Sequence, residues 1–268
     1  MDCQGIRITN VTFAAPHNVA NLKIDTSQHM EINHVVSKNA GTSNPAGGNG
    51  ILVASEPDYT RPYSDDVQIW NSTISNWGLN TIDHAGPHGI YYGAHGARNG
   101  VIANNVIYDG PTGFGLQLGG DATRTIVTNN TFVHMYQPKG GAGSAIVVWN
   151  DGHDLGTNDN VIVNNILSDN ASYGIAAAGD PSHGNVVRNN LTYRNGLGGY
   201  LDRYGPSELF TVHGPGYRAD PMFVDPGRHD YRLAARSPAR RKATKAYAPP
   251  LDADGLPRPA RPALGAFG

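Results

Sequence analysis

Five short stretches decide how this chain folds. They are Ile69-Trp70-Asn71-Ser72-Thr73-Ile74, Ile102-Ala103-Asn104-Asn105-Val106-Ile107, Val127-Thr128-Asn129-Asn130-Thr131-Phe132, Ile162-Val163-Asn164-Asn165-Ile166-Leu167 and Val187-Arg188-Asn189-Asn190-Leu191-Thr192. Each reads apolar, any residue, Asn, Asn (once Ser), any residue, and then usually apolar. The fourth position falls at 72, 105, 130, 165 and 190, so the steps are 33, 25, 35 and 25 residues. Weaker copies precede them at Ile8 to Phe13 and Ile32 to Ser37.

A second recurring strand lies between the copies and starts near glycine. It appears as Gly50-Ile51-Leu52-Val53, Gly89-Ile90-Tyr91-Tyr92, Gly115-Leu116-Gln117-Leu118, Ala145-Ile146-Val147-Val148 and Gly174-Ile175-Ala176-Ala177. Each repeat has room for about three short strands, and no helical period of 3.6 is visible. One such coil cannot bury its inward residues alone. Stacked coils pair strand on strand at about 4.8 Å and share a continuous core. An asparagine at a fixed corner fits that stack, because its amide can bond backbone groups and the asparagines above and below, and it tolerates a left-handed turn. A β-sandwich with chance Asn-Asn turns is the alternative, and five copies in phase argue against it.

Composition narrows the function. The 268 residues include 34 glycines and 18 prolines, only 16% are charged, and the net charge is −2. That excludes a polyelectrolyte-like disordered chain and argues against nucleic acid as a partner. No apolar run approaches the ~18 residues of a membrane span, so no membrane partner is expected. The single Cys3 excludes an intrachain disulfide. The chain divides into a repeat region, residues 1–204, and a Pro/Arg-rich segment, residues 205–268. The expectation is that this irregular segment caps the open end of the stack, where unpaired strand edges would otherwise be exposed.

The Asn-Asn repeat resembles the right-handed parallel β-helix proteins of the pectate-lyase-like superfamily over about residues 5 to 200. The resemblance implies an all-β fold: a single-stranded right-handed parallel β-helix of about seven coils with an Asn ladder. It implies that the Gly-Ile strands form the first sheet, that the Asn corner joins the second and third, and that a polysaccharide lies across the first sheet. It also implies a secreted or cell-surface bacterial protein. The opening residues carry no charged segment followed by an apolar run, so they read as the trimmed start of a secreted chain or as a cytoplasmic protein.

Alternation along the first sheet points Lys23, Asp25, Leu52, Tyr91, Gln117, Val147, Trp149 and Ala176 outward. Around them the reactive residues are dense. The candidate catalytic groups are Tyr91, His88, His84 and Lys139, which can supply a tunable base, an acid and a cation. Trp77, Gln117, Tyr136, Trp149 and Arg124 are the candidate substrate contacts, the aromatics as platforms for sugar faces. Asp58, Asp65 and Asp66, in an acidic loop with Glu56, are candidate Ca²⁺ ligands.

The expected activity is cleavage of an acidic, uronate-containing polysaccharide by β-elimination. That reaction needs the substrate carboxylate neutralised by Arg, Lys or Ca²⁺. Three alternatives stay open at this level. One is a C5-epimerase resembling those that act on mannuronan. Another is an inverting glycoside hydrolase, which needs two carboxyl groups roughly 6.5 to 9.5 Å apart. The last is a non-catalytic glycan-binding or adhesion β-helix, which the aliphatic Leu52, Val147 and Ala176 on the expected groove favour.

Overall fold

The computed structural model describes residues 4–14, 19–41, 48–55, 63–78, 86–136, 143–150, 156–179, 182–202, 211–213 and 216–268. Parallel strands stack into three sheets. Sheet one runs through Ala20–Asp25, Asn49–Ala54, Ile90–Ala94, Leu116–Gly119, Ile146–Asn150, Tyr173–Gly179 and Gly198–Asp202. Sheet two includes Gln28–Asn33, Ser64–Trp70, Val101–Ala103, Ile126–Thr128, Val161–Val163 and Val186–Arg188. Sheet three includes Val36–Lys38, Thr73–Ser75, Val106–Gly110, Thr131–Met135, Ile166–Ser168 and Leu191–Tyr193. Among the described residues, sheets one and three hold seven strands each, which agrees with seven coils. The fold is a right-handed parallel β-helix: the repeat implies the stacked coils and the resemblance their hand.

The core is built of columns. In sheet one, Ile51, Ile90, Leu116, Ile146 and Ile175 pair in register and are fully buried. In sheet two the column is Ile32, Ile69, Ile102, Val127, Ile162 and Val187. Each such side chain contributes about 1.5–3 kcal/mol through its removal from water. Identical spacing in every coil makes these contributions cumulative.

The Asn pairs divide the corner's work. The first member takes the left-handed conformation, with φ of 47° at Asn71, 55° at Asn104, 53° at Asn129, 61° at Asn164 and 54° at Asn189. The second member forms the ladder. The Oδ1 atoms of Asn130, Asn165 and Asn190 each accept the backbone N–H of the ladder Asn one coil earlier at 2.9 Å. They also accept that residue's Nδ2 at 3.0 Å. The weaker copies obey the same geometry, since Asn10 and His34 are also left-handed.

The C-terminal segment departs from expectation. The coil register continues past residue 204, because Thr211–His213 pairs with Val186–Arg188 and Tyr217 bridges to Leu191. The chain then runs along the flank of the helix, where the sequence placed it over the open end. Tyr231, Leu233, Ala239, Leu264 and Ala266 bury against Val106, Val133, Ile166 and Leu191, the outward residues of sheet three. The reason is visible in those four residues. They are apolar on a face that would otherwise meet water, so the segment covers a sheet rather than an edge. The first Asn of each pair fastens it: Asn104 donates to the carbonyl of Leu251, Asn129 to Ala263, Asn164 to Thr244 and Asn189 to Lys242. Among the described residues no helix is long and apolar enough to cross a membrane.

Candidate functional site

Sheet one carries its outward residues in a column, Leu52, Tyr91, Gln117, Val147, Ala176 and Leu201. The alternation is as expected, but the column is not an open groove. Gln117 is 8% exposed and Val147 1%, whereas Tyr91 keeps partial access to solvent and Lys23 and Asp25, at the N-terminal end of the sheet, are accessible and paired with each other. His88 sits beside them and is 4% exposed. Its Nδ1 accepts the Phe114 backbone N–H at 3.1 Å, its ring stacks on Phe114, and it meets Tyr91 edge-on with 5.4 Å between centroids. Burial lowers its pKa to about 3. His88 is therefore a neutral, inward-bonded packing residue. The residue expected to transfer protons thus lies packed beneath Tyr91 and Phe114.

The expectation for Trp77 is corrected. It is fully buried, its Nε1 donates to the Thr112 carbonyl at 2.8 Å, and its ring packs under the bare α-carbon of Gly110. It anchors a corner and cannot stack on a sugar. Trp149 does reach the surface, at 37% exposure, on the leaving end of its strand opposite Gly119. Tyr136 reaches it further, at 63%, but at the other end of the sheet. His84, Lys139 and Asp58 lie outside the described residues.

The remaining candidates meet at the corner where the chain leaves sheet one for sheet two. A cleft of about 240 Å³ opens there between Tyr63, Arg98, Asp121, Arg124, Asp159 and His183. Local geometry explains why these side chains gather. Asp66, Asn99, Arg124 and Asp159 all take left-handed turns, with φ between 52° and 57°, and each stands six residues before a ladder position, at 72, 105, 130 and 165. The helix thus stacks one polar turn residue per coil and points the column at solvent.

Electrostatics inside the cleft are asymmetric. Asp65 Oδ2 accepts from Arg98 Nε at 3.2 Å, and its Oδ1 accepts from Asn99 Nδ2 at 2.7 Å. Asn99 Oδ1 then accepts from Arg124 Nε at 2.9 Å. Arg98 also lies 5.5 Å from the centre of the Tyr63 ring. Arg124 is exposed, and among the described residues no carboxylate pairs with it. A guanidinium held by a neutral amide keeps its charge available to an anionic ligand.

Of the three Ca²⁺ candidates, Asp65 and Asp66 are already held by other side chains, and Asp58 lies outside the described residues. Asp65 is committed to Arg98 and Asn99. Asp66 accepts from His29 at 2.9 Å and from Gln68 at 2.8 Å; burial works against its charge, and these bonds outweigh that and lower its pKa. Among the described residues no group of three His, Cys, Asp or Glu side chains is placed to hold a metal.

Sequence reasoning missed Tyr63, Asp121, Asp159 and His183. The signal for the turn column was present, because position 159 keeps the spacing of 66, 99 and 124 from the ladder. His183 keeps the spacing of Asp65, Arg98, Thr123 and Asn158, each seven residues before a ladder position, so the same periodicity could have found it.

Comparison with known proteins bears on the fold. No curated protein sequence matches the chain. The crystal structure of pectate lyase Pel9A is similar with a TM-score of 0.54 at 14% identity, covering 93% of this chain and 68% of that one. Alginate lyase from Paenibacillus sp. str. FPU-7 is similar with a TM-score of 0.38 at 14% identity, covering 81% of this chain and 86% of that one. The family model described as right handed beta helix region matches residues 1–207. The chain belongs to the right-handed β-helix family.

Proposed function

We propose that the protein is a polysaccharide lyase acting on a uronate-containing glycan, with the corner cleft as its reaction site. The observation that carries this is Arg124, an exposed guanidinium without a carboxylate partner among the described residues, beside Arg98 in one cleft. The pectate lyase among the structural neighbours has a similar fold, which supports the same class of chemistry. The cleft's 240 Å³ falls below the ~300 Å³ of an enclosed ligand pocket, which suits one sugar residue of a longer chain crossing the surface.

β-Elimination removes the proton at C5, forms the C4–C5 double bond and expels the glycosidic oxygen at C4, which leaves with a proton. Negative charge develops on the uronate carboxylate as C5 loses its proton. Arg124, held in place by Asn99, answers that charge, with the Asp65-paired Arg98 beside it. His183 is the imidazole lining the same cleft and serves as the proton-transfer group of this reading. Trp149, at the sheet end beside the cleft, offers a face for the neighbouring sugar.

Incubation with alginate, pectate, ulvan and glycosaminoglycans tests the reading through the ultraviolet absorbance of the unsaturated product. One of these glycans is expected to give rising absorbance, with Arg124→Ala lowering kcat/KM by about 10²-fold or more. New reducing ends without absorbance would make the protein a hydrolase. Altered uronate composition alone would make it an epimerase. Retention of a polymer without turnover would make it a binding protein.

A further inference from the structure

A second cavity belongs to neither the cleft nor the column of sheet one. It opens at the opposite corner, where the chain leaves sheet three for sheet one, and encloses about 620 Å³. That volume is ordinary for a ligand site. Its floor is apolar, from Met135, Pro111 and Tyr136, and its rim carries Asp109, Asp169 and Arg194.

The rim is preorganised. Asp109, His134, Asp169 and Arg194 are left-handed turn residues, each four residues after a ladder position at 105, 130, 165 and 190, so they form a second column at coil spacing. Asp109 is held by His134 Nδ1 at 3.3 Å and by His229 Nε2 at 3.0 Å from the C-terminal segment. Asp169 is held by Arg194 Nε at 3.1 Å. Each carboxylate keeps acceptor capacity beyond these bonds. Tyr136 supplies the flat surface. Its ring is 63% exposed, and its backbone N–H is tied to the Gly110 carbonyl at 2.6 Å, which fixes where the ring starts.

We infer that this pocket is a saccharide-binding site distinct from the cleft, and that its ligand is a neutral hexose-containing oligosaccharide stacked on Tyr136 with hydroxyls bonded to Asp109, Asp169 and Arg194. Each part of that choice has a physical ground. A pyranose presents a face of C–H groups and an edge of hydroxyls, and the pocket presents an aromatic face and an edge of fixed acceptors and donors. A wholly apolar ligand would leave the charged rim unanswered. A polyuronate would bring its carboxylates against Asp109 and Asp169 with Arg194 already paired to one of them, whereas the cleft, although Asp121 and Asp159 also line it, offers Arg124 with no carboxylate partner among the described residues. The two sites lie at opposite ends of the strand Leu116–Gly119 and differ in the charge they select.

Affinity electrophoresis through gels cast with soluble β-glucan, mannan or galactan tests this with the whole protein. At least one neutral polymer is expected to retard the wild type. Tyr136→Ala is expected to weaken that retardation about tenfold or more, and Asp169→Asn to weaken it less. Tyr136 is exposed, so its removal leaves the melting temperature in place and separates binding from folding. Retardation by no neutral polymer, equal retardation of Tyr136→Ala, or Tyr136-dependent retardation by polyuronates alone would each overturn the inference. Neutral polymers contain no uronate to eliminate, so failure here leaves the lyase reading standing, and failure of the lyase reading leaves this one standing.

Discussion

Asn130 Oδ1 accepts two hydrogen bonds from Asn105, one from its backbone N–H at 2.9 Å and one from its Nδ2 at 3.0 Å. Asn130 Nδ2 donates in turn to the Ile102 carbonyl and to Asn165 Oδ1. Asn130→Ala strands the Asn105 N–H in a site without water. A buried donor left unpaired costs about 1–3 kcal/mol, and a urea melt should show at least that loss. A midpoint unchanged from wild type would mean that the ladder is not coupled from coil to coil.

His88 makes stability depend on acid. Its folded pKa of about 3 lies below the ordinary 6.5 because the ring is buried. Between those values the unfolded chain binds more protons than the folded one. The stabilisation is complete above about pH 6.5 and is lost as pH falls toward 3, at up to ~1.4 kcal/mol per unit. Comparing urea midpoints at pH 7 and pH 5 should show a loss of about 2 kcal/mol. His88→Gln, which cannot titrate, should lose less over the same interval.

Trp77→Ala should cost about 3–5 kcal/mol, as emptying a large core site usually does. Glycan affinity of the folded variant should stay at the wild-type value. A stable variant with weakened affinity would restore the reading of Trp77 as a sugar platform.

Asn99 links Asp65 to Arg124, so it acts as a positioning residue for the cleft's free cation. Asn99→Gly keeps the left-handed turn at φ 57° and removes only the link. Initial-rate kinetics should show KM for the polyuronate raised about tenfold, with the melting temperature lowered by a few degrees at most. Unchanged KM would move carboxylate binding away from Arg124.

Arg258 ties the C-terminal segment to the helix. Its guanidinium donates to Asn104 Oδ1 at 2.9 Å and to the carbonyls of Ala263, Gly265 and Ala266. Arg258→Ala should lower stability by about 1.5–3 kcal/mol. Limited proteolysis should then release the segment first, with the coils still protected.

The fold is legible in the sequence because its cause is periodic. A ladder Asn must recur once per coil, so the spacing of Asn105, Asn130, Asn165 and Asn190 is enough to locate the corner. Inward and outward assignments follow from alternation, and Tyr91, Gln117 and Val147 do pair as expected. Exposure is not legible. Gln117 and Val147 face outward yet are covered, and alternation tells direction without telling what lies above. Trp77 shows the same limit in reverse, since a loop aromatic reads alike whether it lies over a coil or within one. The flank position of the C-terminal segment follows from Val106, Val133, Ile166 and Leu191, whose outward apolar character is present in the repeat.

The clasp between the asparagine corner and the C-terminal segment makes that segment a ruler. It touches Asn104, Asn129, Asn164 and Asn189 through fixed carbonyls of Leu251, Ala263, Thr244 and Lys242. Those four marks match four consecutive coils at one pitch. Duplicating or deleting a coil between Asn104 and Asn189 would slide every later mark out of register, although the core itself would accept the change. A coil added on the N-terminal side of Asn104 would leave the clasp undisturbed, while the stretch beneath the ruler is held to a set length.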